Sequence, residues 1–147
     1  MCGVAGFLQL ASEAGGPLDI VARTMAETLS HRGPDDSGAW ADDDAGIALG
    51  HRRLSIIDLS AAGHQPMTSG NRRYVVSYNG EIYNHNDLRA ELESAGVVFR
   101  GHSDTEVVVE GFARWGIAPT LRRLIGMFAF AVWDRETRTL SLIRDRL

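Results

Sequence analysis

Met127-Phe128-Ala129-Phe130-Ala131-Val132-Trp133, followed by Asp134-Arg135-Glu136-Thr137-Arg138-Thr139-Leu140-Ser141-Leu142-Ile143-Arg144, is the stretch that decides the architecture. Its first seven residues are apolar without a break. Polar alternation is absent there, so the pattern predicts a strand covered on both faces. Residues 134–138 are a turn by composition, and 140–144 return as the antiparallel partner. A strand covered on both faces needs one layer above it and another below.

Those layers are found upstream. Ser103-Asp104-Thr105-Glu106 has the spacing of a capping box, which predicts a helix carrying Val108, Phe112 and Trp115 on one face. Residues 97–99 read as a short strand. Asn86 is placed to cap a helix with Leu88, Leu92 and Ala95 on one face and Gly96 as its stop. Residues 72–78 are rich in Val and Tyr and read as a strand. Residues 38–41 and 47–51 read as two more, joined by the acidic turn Asp42-Asp43-Asp44-Ala45-Gly46. His31-Arg32-Gly33-Pro34-Asp35-Asp36-Ser37-Gly38 is a loop. Gly15-Gly16 punctuate, and Pro17 opens a helix that ends near Ser30, with Val21, Met25 and Leu29 on one face. Residues 2–8 form a buried strand. Strands and helices come in blocks rather than in βαβ alternation, which predicts an α+β fold of antiparallel sheets with helices packed on them.

At 147 residues, with 44% hydrophobic and 23% charged residues, the chain reads as one soluble globular domain. A net charge of −4 leaves no cationic excess for nucleic acid or an anionic membrane. No segment approaches the roughly 20 apolar residues that a bilayer span requires. The N-terminus lacks a basic region before an apolar one, so the cytoplasm is the expected compartment. The chain stops at Arg144-Asp145-Arg146-Leu147 with neither a turn nor a polar tail, which reads as truncation inside a domain. There is no glycine-rich phosphate loop and no GxGxxG. Five histidines show no paired-ligand spacing, so no metal site is expected. The acidic turn lacks the downstream spacing of a calcium loop.

One cysteine is present, at position 2, and it excludes an internal disulfide. A lone cysteine is most often a small buried hydrophobe. Position 2 allows another reading. Loss of Met1 would leave Cys2 with a free α-amine, which titrates near about 8, close to the thiol. One residue would then supply both nucleophile and base.

Met-Cys-Gly-Val-Ala-Gly at the start resembles the opening of the class II glutamine amidotransferases. Five more blocks match in order: His31-Arg32-Gly33-Pro34-Asp35, Arg53-Leu54-Ser55-Ile56-Ile57-Asp58, Gly63-His64-Gln65-Pro66-Met67, Asn79-Gly80-Glu81-Ile82-Tyr83-Asn84 and Ser103-Asp104-Thr105-Glu106. The Arg-Leu-Ser-Ile-Ile-Asp and Gly-His-Gln-Pro-Met pair is similar to asparagine synthetases in particular. This resemblance implies an N-terminal-nucleophile hydrolase fold, a four-layer sandwich of two largely antiparallel sheets between helices. It also implies a glutaminase domain over residues 1–147 whose last strands lie beyond Leu147.

The resemblance implies roles for individual residues as well. Cys2 would attack the glutamine side-chain amide. Arg53 would clamp the α-carboxylate through a bidentate guanidinium pair, with Arg52 as the competing candidate and the backbone of Leu54, Ser55, Ile56 and Ile57 lining the same pocket. Asn79 and Gly80 would form the oxyanion hole, although Asn-Gly alone is also the commonest tight-turn dipeptide. Glu81 and Asp104 would receive the α-ammonium, although an acid at a helix N-terminus has a structural role of its own. Ser103 and Glu106 are capping residues, and Arg32 and Asp35 organise the loop near the nucleophile. No cofactor is expected in this domain. ATP and Mg belong to a C-terminal synthetase domain in cis, where the ammonia would meet an activated aspartate. Glutamine is the expected partner, and a homodimer is compatible with the family. Two alternatives remain open: an amidotransferase with another ammonia acceptor, and a glutamine-binding module without turnover.

Overall fold

Side chains on a strand alternate between two faces, and that alternation sorts this chain into layers. The computed structural model describes residues 2–9, 17–55 and 60–146. In chain order the elements are β1 (Gly3–Leu8), α1 (Leu18–Glu27), β2 (Asp36–Asp42), β3 (Ile47–Arg53), a 3-10 turn (Ala61–Gly63) and β4 (Met67–Thr68). They continue with β5 (Tyr74–Ile82), α2 (His85–Ser94), α3 (Asp104–Trp115), α4 (Ile117–Leu121), β6 (Gly126–Asp134) and β7 (Thr139–Arg144). One sheet has the order β1-β3-β2 and the other β4-β5-β6-β7, and every pairing is antiparallel.

Three packed interfaces stack these sheets between helices. Leu18 and Ala22 of α1 cover Ala48, with Phe7, Ala39 and Ala41 around them. Ile47, Leu49, Val75, Ala131 and Trp133 fill the space between the two sheets. Tyr74, Val76, Tyr78, Phe130 and Val132 face the opposite way, onto Val108, Val109 and Phe112 of α3. Phe130 to Trp133 are thus covered on both sides, as the lack of alternation predicts, whereas Met127 and Ala129 at the start of the run are exposed. The result is the expected α+β sandwich of helix, sheet, sheet and helix.

Helix α1 occupies its predicted place but turns a different face inward. Leu18, Ala22 and Ala26 are buried, whereas Val21 and Met25 are exposed. The cause is close approach: a Cβ on Gly50 would collide with the Ala22 carbonyl and crowd the Ala26 methyl. Only small side chains fit where the helix meets glycine on β3, so size overrides hydrophobicity. Asn86 is not the cap of α2; Asn84 holds that position, and its side chain instead donates to Arg123 O at 2.8 Å and accepts from Ile125 N–H at 2.9 Å. Gly96 does end this helix, at φ 89°. Residues 97–99 are not a strand. Val97 and Phe99 pack against Leu88, Leu92 and Val107, which is side-chain burial without a ladder partner. The capping box is half formed. Ser103 Oγ accepts from Glu106 N–H at 3.2 Å, but Glu106 turns to Arg100 N–H and Gly101 N–H, at 2.8 and 2.9 Å. Among the described residues no helix is long and apolar enough to cross a membrane.

Candidate active site

Along β3 the residues facing the second sheet are Ile47, Leu49, His51 and Arg53; along β5 they are Val75, Ser77 and Asn79. Each series starts apolar and ends polar. At the polar end lies a cavity of about 640 Å³. Of the residues singled out from sequence, Cys2, Arg53, Leu54, Asn79, Gly80, Glu81 and Asp104 line it. Ser55 stands outside the lining, with its N–H donated to the Asp35 carboxylate at 2.7 Å. Ile56 and Ile57 lie outside the described residues. A wider cleft of about 830 Å³, lined by Trp40, Arg72 and Arg135 among others, sits at the opposite end of the same strands and holds none of these groups. The residues singled out from sequence gather at the smaller cavity, not at the wider cleft.

Strand register brings Cys2 here. Gly3 pairs with Arg52, so the residue before it meets the end of β3. The Leu54 N–H points at Cys2 Sγ at 3.4 Å, and Leu54 O lies 3.8 Å away. A backbone N–H aimed at the sulfur is a ready donor to its thiolate form.

Alternation also separates the two arginines. Arg52 faces the loop before β2, where Nε donates to Gly33 O at 2.8 Å. Arg53 faces the cavity, is buried, and donates from Nη1 to Ser60 O at 3.0 Å. Gly63 lies flat against its guanidinium, and any Cβ there would overlap it. The Gly-His-Gln-Pro-Met block therefore begins with glycine because the arginine passes beneath it.

Asn79-Gly80 is not a turn. Both residues sit inside β5, opposite Ala129 and Phe128 of β6. Gly80 is required by proximity, since a Cβ would strike the Met127 carbonyl and Phe128 Cα. Phe128 is itself pinned, donating its N–H to Asp145 Oδ2 at 2.6 Å and accepting from Asp145 N–H at 2.9 Å.

Asp104 is held by three donors. Oδ2 accepts from Tyr78 O–H at 2.7 Å and Ile82 N–H at 3.0 Å, and Oδ1 accepts from Thr105 N–H at 2.9 Å. It is a fixed, 5% exposed acceptor, whereas Glu81 stands exposed at the rim. Burial, and then the Asp104 charge, push the Tyr78 hydroxyl far above its ordinary range, so it remains a donor. Gln65 joins the same elements: Oε1 accepts from Tyr78 N–H at 2.7 Å, and Nε2 donates to Thr105 Oγ1 at 3.3 Å.

The expected loop of residues 31–38 ends at Asp35, because Asp36 already begins β2, and this segment braces the wall. Asp35 holds Ser55, and its own N–H donates to Arg53 O at 3.0 Å. Asp36 Oδ2 contacts His64 Nδ1 at 2.8 Å. Burial pushes the Asp36 carboxyl up, but its bonds to His64 and to Ser37 N–H outweigh that and leave it below the usual range. The organising role expected of Asp35 is thus visible as a hydrogen bond. Among the described residues no group of three His, Cys, Asp or Glu side chains is placed to hold a metal.

In the sequence Tyr78 reads only as a strand residue, and Gln65 stands in its block without a role of its own. A tyrosine inside a strand reads as core, and only its need for a hydroxyl partner marks it out. That need, set beside an acid at a helix N-terminus, is the one signal that could have linked Tyr78 to Asp104.

A family model described as a glutamine amidotransferase domain matches residues 1–147. The chain is 40% identical over 149 residues to the glutamine-hydrolysing asparagine synthetase 3 of Bacillus subtilis, covering 100% of this chain and 24% of that protein. It is 34% identical over 154 residues to Amidase chry2 of Gibberella zeae, covering 99% and 23%. Among solved structures, the glutamine phosphoribosylpyrophosphate amidotransferase of B. subtilis superposes with a TM-score of 0.70 at 22% identity, covering 96% of this chain and 36% of that one. At that identity the likeness concerns the fold. The chain thus spans about a quarter of the length of the curated relatives it matches.

Proposed function

The chain belongs to the glutamine amidotransferase domain family, and on that premise we propose that it hydrolyses the side-chain amide of glutamine to glutamate and ammonia. The observation that carries this reading is the convergence of Cys2, Arg53, Asn79, Gly80 and Asp104 on one cavity. A zwitterionic amino acid presents a carboxylate and an ammonium at one end and an amide at the other. Arg53 suits the carboxylate, and Asp104 with Glu81 suits the ammonium. This leaves the amide carbon directed at Cys2.

With Met1 removed, the Cys2 amine takes the thiol proton and the thiolate attacks the amide carbon. Negative charge then develops on the amide oxygen, beside the Asn79 side-chain amide and the Gly80 N–H. The protonated amine returns its proton to the leaving nitrogen as the carbon–nitrogen bond breaks, and ammonia departs. Water attacks the γ-glutamyl thioester, releases glutamate and restores the thiol. The Leu54 N–H beside the sulfur favours each step in which that sulfur carries charge.

The ammonia is destined for a C-terminal domain in cis that uses ATP and Mg to convert aspartate to asparagine. Support comes from the asparagine synthetase whose first quarter this chain resembles. A second reading keeps the glutaminase half and changes the acceptor, and the likeness to Amidase chry2 favours it. The glutamine step is the same in both.

The test is glutamate release from glutamine by the protein and by its Cys2→Ala variant, with intact mass establishing loss of Met1. A fall of at least about a thousandfold is expected for a missing nucleophile. Equal rates would remove Cys2 from the mechanism, and a fully active chain retaining Met1 would remove the amine.

A further inference from the structure

The two walls of the cavity belong to different sheets, and a buried polar link joins those sheets one step below it. His51 Nδ1 lies 3.0 Å from Ser77 Oγ, and Ser77 Oγ lies 3.3 Å from Gly50 O. Both side chains are fully buried. The carbonyl can only accept, so Ser77 donates to Gly50 O and must accept from His51. That pattern assigns a proton to His51 Nδ1, and burial, which disfavours the charged ring, keeps Nε2 unprotonated. Its Nε2 has no partner among the described residues. An apolar pair at this place would pack without leaving such an atom, so the fold alone does not call for this histidine.

The position of the link suggests its use. His51 and Arg53 are two residues apart on one face of β3, and Ser77 and Asn79 are two apart on one face of β5. Two residues along a strand span about 7 Å, and a strand is stiff over that length. Arg53 grips one end of glutamine under the proposed mechanism, and Asn79 stabilises charge at the other. The separation of the sheets at His51–Ser77 therefore sets the distance between the carboxylate clamp and the oxyanion hole.

We propose that His51 and Ser77 are a positioning pair, which sets the spacing of the two walls and thereby aligns the amide of bound glutamine with Cys2 and Asn79. This rests on the glutaminase reading. Misalignment of a bound substrate lowers kcat, because reacting groups need near-contact geometry.

The experiment measures kcat and KM for glutamate release, with melting temperature, in the wild type and in Ser77→Ala, Ser77→Thr, His51→Leu, His51→Asn and Val75→Ala. Ser77→Ala and His51→Leu are expected to lose tenfold or more in kcat with a smaller change in KM. Ser77→Thr keeps the hydroxyl, and His51→Asn keeps a donor near Nδ1; both should recover most of the loss. Val75→Ala makes a cavity in the same layer without touching the link, and should lower the melting temperature while leaving kcat within about twofold. Ser77→Ala and His51→Leu at wild-type kcat would overturn the proposal, as would an equal kcat loss in Val75→Ala. Wild-type turnover unaffected by Cys2→Ala would instead overturn the mechanism beneath it. If turnover is undetectable in the wild type, the same variants are read by glutamine protection of Cys2 against iodoacetamide. Incomplete protection at saturating glutamine in Ser77→Ala, restored in Ser77→Thr, supports the pair; protection as complete as in the wild type overturns it, and no protection in the wild type overturns the glutamine reading beneath it.

Discussion

One layer of side chains runs the length of this molecule between its two sheets, and its two halves behave as different materials. In the first half Ile47, Leu49, Val75 and Trp133 are almost fully buried and form one apolar cluster. In the second half the same faces of the same strands present His51, Arg53, Ser77 and Asn79. The backbone geometry is continuous across the change, so the difference lies in the side chains alone. Removal of a side chain from the first half should cost stability, and removal from the second should cost chemistry. A β-sandwich can thus carry a reactive cleft without altering its ladder, provided that the dry half supplies enough cohesion for both.

The largest expected effect lies in the dry half. Trp133 is 2% exposed and is the largest of the fully buried side chains. Trp133→Ala is expected to cost about 3–5 kcal/mol of unfolding free energy, from lost transfer energy plus an unfilled cavity. Urea unfolding checks the stability, and kcat per folded molecule should stay near wild type. A large fall in kcat among molecules that remain folded would break the division between the halves.

The next effect belongs to the boundary residue. Burial pushes the His51 imidazole down from 6.5 to about 4, with the Asp36 charge opposing the shift and the Arg53 and His64 charges adding to it. As pH falls below 6.5 the unfolded chain takes up a proton that the folded chain refuses until about 4. Stability is therefore complete above that window and is lost as pH falls through it, by roughly 3 kcal/mol in all. Two other sets of groups have distinct signatures. The lowered carboxyls of Asp36 and Asp134 act below their ordinary value of 3.8, where their stabilisation disappears. Burial raises Glu110, which therefore favours the folded state on the acid side and opposes His51. Subtracting the pH profile of His51→Asn from that of wild type isolates the histidine. A flat difference between pH 6.5 and 4 would show that water or relaxation already compensates His51 in the folded protein.

Sequence legibility follows the same division. The hairpin from Met127 onward, the two-sided cover of Phe130 to Trp133 and the helix from Asp104 were readable because burial imposes a local pattern, while the exposed Met127 and Ala129 were not. The face of α1 was misread because Gly50, distant in sequence, admits alanine and excludes larger residues. Residues 97–99 were misread because packed side chains without a ladder partner resemble a strand. In the cavity, Cys2, Arg53, Asn79, Gly80, Glu81 and Asp104 were found through ordered blocks, not through periodicity. Periodicity alone would have left Asn79-Gly80 as a turn. The roles of Tyr78, Gln65 and the His51–Ser77 link stayed hidden, because each depends on which element lies opposite, and only the assembled fold reveals that.

The smallest effect, at Arg53, tests the polar half most cleanly. Arg53→Lys keeps the charge and most of the stem but removes the planar fork. The substituted ammonium can still reach toward the cavity, so the loss falls on bidentate geometry at the proposed carboxylate site and on guanidinium bonds such as that to Ser60 O. One charge-assisted hydrogen bond is worth about 1.5–3 kcal/mol, and a lysine should recover part of it. The expected result is a KM for glutamine roughly tenfold higher, with kcat nearly unchanged, since the carboxylate lies away from the reacting carbon. Melting temperature should move little, because the guanidinium sits at the mouth of the layer and not in its core. A drop in melting temperature comparable to that of Trp133→Ala would mean that Arg53 holds the sheets together instead, and that the stabilising half of the layer extends to the edge of the cavity.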